Sequence, residues 1–119
     1  MYSAQLLQYF EDSRHAGEVG EPDAVVEVEN PACGDILRLT AKLVDNRIIE
    51  IKFKAKGCVP AMACASALAY CIDGRTVDEA RKFRRDELVN TVGGLPEAST
   101  HAGHLAMDAL AALLRSLAH

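Results

Sequence analysis

The spacing of apolar side chains changes along the chain, and each change marks a different kind of secondary structure. Residues 2–11 place Tyr2, Leu6, Tyr9 and Phe10 at a helical spacing, which predicts a short amphipathic helix. Residues 15–23 contain two glycines and a proline among polar neighbours, a composition typical of a loop. The chain therefore begins with a helix and a connecting loop.

The middle of the chain alternates apolar and polar side chains with the period of a β-strand. Alternation begins at residues 26–29 and is clearest at residues 37–43. After a turn at residues 45–47, the apolar positions of the next strand are Ile49, Ile51, Phe53 and Ala55. The pattern predicts an antiparallel hairpin with one dry face.

Helical patterns follow from residue 58 to the carboxyl end. Pro60 stands where a first helical turn tolerates it, and a nearly unbroken apolar run up to residue 72 predicts a buried helix. Thr76 and Glu79 have capping-box spacing, which predicts a short helix toward residue 83, and another is predicted over residues 86–92. Apolar steps of three and four predict a long amphipathic helix from about residue 99.

This order of elements predicts the fold class. One helix, three strands and then several helices favour an α+β fold, in which helices pack on one face of a small three-stranded antiparallel sheet. A chain of 119 residues, half of them hydrophobic, fits one domain over residues 1–119.

Charge and apolar run lengths limit the classes of partner. Thirteen Lys and Arg against seventeen Asp and Glu give a net charge of -4, which argues against a protein that coats nucleic acid. The apolar run at residues 59–72 is shorter than the roughly 20 residues of a membrane span. Residues 1–5 lack the features of a secretory signal, so we expect a cytoplasmic protein whose cysteines are thiols.

Two of the four cysteines lie where they could take part in chemistry. Cys33 and Asp35 flank Gly34 in a predicted turn between strands, although a turn with an incidental cysteine explains this motif equally well. Cys58 precedes the buried helix, where backbone N–H groups favour a thiolate. Cys64 and Cys71 lie within the apolar helix and are better explained as small core side chains.

Polar residues elsewhere carry weaker signals. His101 and His104 stand three residues apart at the start of the last helix, with Asp108 four further on; alone, they fit a solvated helix face better than a metal site. The basic run at residues 81–85 and the lysines at positions 52, 54 and 56 could dock an acidic partner. Solvated faces are the simpler explanation for both.

Taken in chain order, these motifs form a recognisable series. Pro31-Ala32-Cys33-Gly34-Asp35, Gly57-Cys58, residues 74–80 and Leu95-Pro96 followed by His101 resemble the iron-sulfur cluster assembly scaffold family of the IscU and NifU amino-terminal type. The resemblance covers nearly the whole chain. It implies a three-stranded antiparallel sheet with helices against it, and a site where Cys33, Asp35, Cys58 and His101 hold a [2Fe-2S] cluster or Zn2+.

The chain departs from the family pattern at one ligand position. The family's His-Cys pair is His101-Ala102 here, so the third cysteine is missing. In the family, that cysteine is a cluster ligand and is associated with accepting sulfur from a cysteine desulfurase. The four remaining ligands suffice for tetrahedral zinc and offer mixed ligation to a two-iron cluster. The family's Leu-Pro-Pro-Val-Lys chaperone element is Leu95-Pro96-Glu97-Ala98-Ser99 here.

The resemblance implies a binding protein, a scaffold or carrier for an iron-sulfur unit, rather than an enzyme. Its expected partners are a cysteine desulfurase and apo iron-sulfur acceptor proteins, without nucleic acid or membrane, and a homodimer is left open. Two alternatives remain. One is a zinc-dependent, SufU-like sulfur acceptor, which would be a sulfurtransferase, and the other is a degenerate homologue with a regulatory role.

Overall fold

A three-stranded antiparallel sheet forms the centre of the fold. The computed structural model describes residues 2–117. The strands are β1 (Ala24–Asn30), β2 (Asp35–Val44) and β3 (Arg47–Lys56), in the order β1-β2-β3. Leu39, in the middle of β2, pairs with Val26 on one side and Phe53 on the other. The predicted hairpin is confirmed.

The helices pack against this sheet and against each other. They are α1 (Ala4–Glu11), α2 (Val59–Ile72), α3 (Val77–Arg81), α4 (Arg85–Thr91) and α5 (Thr100–Leu117), with a short 3-10 turn at Glu97–Ser99. The helices α2 and α5 contact the sheet and each other, and α1 packs on α2. The α+β fold class predicted from the sequence is confirmed. Among the described residues, no helix is both long and apolar enough to cross a bilayer.

One face of the sheet forms the core with α2 and α5. Leu37, Leu39 and Ala41 of β2 are buried on this face, and their neighbours in β2 alternate to the opposite face. The helix α2 is buried nearly all round, as its composition predicts. Its small side chains leave room for α1, α5 and the sheet to approach it closely.

The second strand of the hairpin differs from the prediction at Ile49. Ile49 is 47% exposed, whereas Ile48 is fully buried. The register shifts between Lys42 and Leu43, so that Lys42 pairs with Glu50 but Leu43 pairs with Ile48. Ile49 is the extra residue of a β-bulge, and the bulge changes which side chains face the core.

Capping interactions set the helix boundaries. Thr76 Oγ1 accepts a hydrogen bond from Glu79 N at 3.1 Å, and Thr76 N donates to Glu79 Oε1 at 2.9 Å, which confirms the predicted capping box. Ser3 caps α1 by accepting from Leu6 N. The predicted apolar face of α1 is only partly buried, because Leu6 lies in the core while Phe10 remains 37% exposed.

Candidate metal centre

A tight turn between β1 and β2 presents Cys33 and Asp35. The carbonyl oxygen of Asn30 accepts hydrogen bonds from Gly34 N at 2.7 Å and from Cys33 N at 3.3 Å. Gly34 closes the turn with φ at +74°, a conformation that favours glycine. Cys33 is exposed, whereas Asp35, the first residue of β2, is only 4% exposed.

The end of β3 lies beside this turn and supplies Cys58. Ile36 pairs with Lys56, so the residues just beyond this pair, Asp35 and Gly57, come together at one edge of the sheet. A Cβ built on Gly57, whose φ is +148°, would stand 2.1 Å from Asp35 Oδ1. The Asp35 carboxylate therefore occupies the space where any other residue at position 57 would place its side chain.

The start of α5 completes the group with His101. The Cys58 thiol donates to Asp35 Oδ2 at an Sγ–O distance of 3.4 Å, and Cys58 Sγ lies 3.6 Å from His101 Nε2. His101 Nε2 lies 3.5 Å from Asp35 Oδ2. Ligand atoms of Cys33, Asp35 and His101 all lie within 4.8 Å of one another. The structure thus groups Cys33, Asp35 and His101, and places Cys58 in contact with Asp35 and His101 but outside the group that includes Cys33.

The protonation of Cys58 differs from the sequence-based expectation. We expected the amino terminus of α2 to favour a thiolate, but burial raises the pKa of Cys58 above its usual range. A hydrogen bond with the backbone of Ala61 lowers this pKa, while the Asp35 carboxylate raises it further as the acceptor of the thiol proton and as a negative charge. Burial and Asp35 outweigh the helix terminus, so the metal-free site favours a thiol at Cys58.

The other cysteines lie in different surroundings. Cys64 is fully buried, and this burial raises the pKa of its thiol to about 12. Cys71 Sγ contacts Thr91 Oγ1 at 3.7 Å, near the far end of α2 and about 20 Å along the helix axis from Cys58. All four cysteines are free thiols. Cys64 fills the core, as predicted, while Cys71 packs against the core at its margin.

His104 and Asp108 lie outside the group formed by the Cys33, Asp35 and His101 ligand atoms. His104 is exposed, and together with Asp108 and His101 it lines a shallow groove of about 270 Å3. Ala102 is 1% exposed and carries no metal-binding group. The first turn of α5 therefore contributes His101 to the site, while its second turn contributes a groove wall beside it.

The sequence predicts the candidate ligands, but it does not reveal that Gly57 leaves the space that the Asp35 carboxylate fills. Gly57 is visible as a glycine at the end of a strand, but its contact with Asp35 depends on the pairing of β2 with β3. The candidate donor atoms are two sulfurs, one carboxylate oxygen and one imidazole nitrogen. Zinc and iron accept this combination, and four donors suit a tetrahedral ion.

Comparisons with known proteins agree with this geometry. Residues 1–117 match the NifU-like N terminal domain family. The chain is 40% identical over 110 residues to the iron-sulfur cluster assembly scaffold protein IscU 1 of Archaeoglobus fulgidus, covering 92% of this chain and 72% of that protein. It is 34% identical over 122 residues to the iron-sulfur cluster assembly scaffold protein IscU of Azotobacter vinelandii, covering 99% and 94%.

Solved structures show the same fold. A NifU-like N-terminal protein from Brucella abortus superposes with a TM-score of 0.76 at 25% identity, covering 97% of this chain and 92% of that one. A putative scaffold protein for the SUF system from Fervidobacterium islandicum gives a TM-score of 0.77, covering 95% and 96%. At 19% identity, this second similarity concerns the fold alone.

We predict that Gly57→Ala weakens zinc binding by about tenfold or more, because the new Cβ displaces the Asp35 carboxylate. Competition with a chromophoric chelator measures the affinity, and thermal unfolding checks that the variant folds. Gly74→Ala is the matched control, since Gly74 also has a positive φ, +84°, while a Cβ there meets no atom within 4 Å. Equal zinc affinities for Gly57→Ala and the wild type would show that the position of the Asp35 carboxylate does not affect zinc binding.

We predict that Asp35→Asn lowers the pKa of Cys58, because it removes the negative charge that opposes the thiolate. The alkylation rate of Cys58 in metal-free protein should then rise at pH 8, and its pH midpoint should shift downward. Peptide mass spectrometry resolves Cys58 from the other thiols. Glu50→Gln, toward the far end of the sheet, removes the same charge and should leave the midpoint in place. If Asp35→Asn left the pH midpoint of Cys58 alkylation unchanged, Asp35 would not be a cause of the raised Cys58 pKa.

Proposed function

Because the chain belongs to the NifU-like N-terminal domain family, we propose that it is an iron-sulfur cluster assembly scaffold or carrier and that Cys33, Asp35, Cys58 and His101 hold its cargo. The observation that carries the proposal is the convergence of these side chains from β2, α2 and α5 and the turns beside them. The family membership confirms the resemblance predicted from the motifs.

The donor types fit cargo that must be both held and released. Thiolates are soft ligands suited to iron-sulfur units, and the carboxylate oxygen of Asp35 is a harder ligand that exchanges more readily. Binding requires the proton on Cys58 to leave, so a metal takes the place of that proton between Cys58 and Asp35. The cargo is a [2Fe-2S] cluster, or Zn2+ in its absence.

Exposure divides the site into two halves. Asp35 is 4% exposed and Cys58 is partly buried, whereas Cys33 is exposed and the His101 side chain is 34% exposed. Partners therefore reach the cargo from the Cys33 and His101 side. Those partners are a cysteine desulfurase, which delivers sulfur, and apo acceptor proteins, which receive the cluster. We propose that the protein works in the cytoplasm.

The exposure of Cys33, next to three side chains that could bind zinc, favours a second function. In this alternative, Asp35, Cys58 and His101 hold zinc, and Cys33 accepts sulfur. The Cys33 thiolate attacks the terminal sulfur of a desulfurase persulfide, forms a persulfide on Cys33 and releases the desulfurase thiolate. The protein would then be a sulfurtransferase.

Anaerobic reconstitution with iron and sulfide tests the scaffold function. We predict visible cluster absorption in the wild type and its loss in Cys33→Ser and Cys58→Ser, because these residues supply the two thiolates of the site. Cys64→Ser and Cys71→Ser are matched controls and should retain the cluster. Zinc bound without cluster absorption would favour sulfur transfer, and full occupancy in Cys33→Ser and Cys58→Ser would contradict the site itself.

We predict that Ala102→Cys lengthens the lifetime of the reconstituted cluster, because it adds a third sulfur beside His101 at the start of a helix, where a thiolate is favoured. Visible absorption followed after removal of free iron measures the lifetime. Ala109→Cys adds a thiol two turns further along α5 and should give no gain. If Ala102→Cys also gives no gain while His101→Ala shortens the lifetime, His101 already completes the site.

A further inference from the structure

The connection between α3 and α4 concentrates positive charge at one place on the surface. Arg81, Lys82, Phe83, Arg84 and Arg85, here called the basic loop, line a pocket of about 300 Å3 together with Asp86. Phe83 is 5% exposed and packs into the core, so it anchors the loop. The anchor fixes the position of the cations on either side of it.

Most of these cations lack an internal partner. Arg81 Nη1 contacts Asp78 Oδ1 at 3.0 Å. Within residues 2–117, Lys82, Arg84 and Arg85 form no ion pair, and Lys82 and Arg84 are exposed. Two exposed positive charges, Lys82 and Arg84, therefore remain available to an external anion, and the partly buried Arg85 lines the same pocket.

Arg85 connects this pocket to the candidate metal centre. It lines the pocket, and its Nε atom is buried without a hydrogen-bond acceptor among the described residues. A Cβ on Gly103 would lie 3.5 Å from that Nε, so the guanidinium packs against the first turn of α5. Gly103 follows His101 by two residues, so the pocket lies against the same amino-terminal turn of α5 that supplies His101, but on a different face of that helix.

We propose that the basic loop docks an acidic segment of a protein partner that exchanges sulfur or cluster with the neighbouring site. That the partner exchanges sulfur or cluster rests on the proposed function. That the partner is acidic rests on the charge of the basic loop alone. The whole chain has a net charge of -4, so its net charge repels an acidic partner, whereas the basic loop attracts it locally. The basic loop thereby holds the partner near the amino-terminal end of α5, the end that carries His101.

The arrangement suits several carboxylates along a peptide better than one small phosphate. The cations stand on long side chains distributed over five consecutive residues, and the basic loop contains no glycine. Phosphate sites typically use glycine-rich loops or helix amino termini with free backbone N–H groups, whereas at the amino terminus of α4 the Arg84 N–H already donates to Glu87 Oε1 at 3.3 Å. Asp86 in the pocket wall also opposes a compact, multiply charged anion.

Binding of a fluorescein-labelled glutamate octapeptide to the full chain tests the docking surface. Fluorescence anisotropy at low ionic strength should show binding that weakens with added salt, while a glutamine octapeptide should not bind. The double variant Lys82→Gln/Arg84→Gln should raise the dissociation constant about fivefold, because it removes two exposed charges from the pocket. Lys52→Gln/Lys54→Gln removes the same charge from the sheet and should change the constant much less.

The outcomes separate docking from simpler explanations. Equal weakening in both double variants would show an effect of net charge and overturn the proposal, as would no weakening in the loop variant. Unlabelled pyrophosphate that displaces the peptide at lower concentration than unlabelled peptide would identify a small-anion site instead. Metal content is measured in the same samples, so loss of metal binding by the wild type would contradict the proposed function while leaving the docking result intact.

Discussion

The antiparallel pairing of β2 with β3 is the constraint on which the candidate site depends. Ile36 pairs with Lys56, which brings the turn carrying Cys33 and Asp35 next to the strand end that leads into Cys58. A slip of one residue would turn Asp35 toward the opposite face of the sheet. The dry face of this hairpin, covered by α2 and α5, specifies the register, so core packing and site assembly have the same cause.

Burial of Asp35 creates a second constraint, because a carboxylate removed from water must interact with polar partners. In the metal-free site the Asp35 carboxylate accepts a hydrogen bond from the Cys58 thiol and lies 3.5 Å from His101 Nε2. Gly57 makes this placement possible by leaving the space that the carboxylate fills. The same contacts that satisfy Asp35 hold Cys58 and His101 close together, so these three side chains are already grouped in the metal-free chain.

Local patterns predict the elements of this fold well, but they do not predict packing details. The hairpin, α2 and α5 follow from apolar periodicity and capping, whereas the burial of Ile48 instead of Ile49 follows from a bulge that strict alternation does not reveal. The four candidate ligands follow from family motifs. The pKa of Cys58 does not, since a helix terminus is visible in the sequence while burial beside Asp35 arises only in the folded chain. The contact between Arg85 and Gly103 likewise arises from tertiary packing, so the sequence does not predict it.

The unequal burial of the four side chains bears on how cargo would leave a scaffold of this kind. An incoming thiolate can reach a metal only where the existing ligands leave access, and Cys33 lies on the exposed turn whereas Asp35 is covered. In the proposed scaffold, exchange would therefore start at Cys33 or His101, while Cys58 and Asp35 remained attached. Ala102 would act in the same direction, because a cluster at the proposed site would have two sulfur ligands, with a nitrogen and an oxygen at its other positions. Ease of release would therefore come from the exposed half of the site, and retention from the buried half.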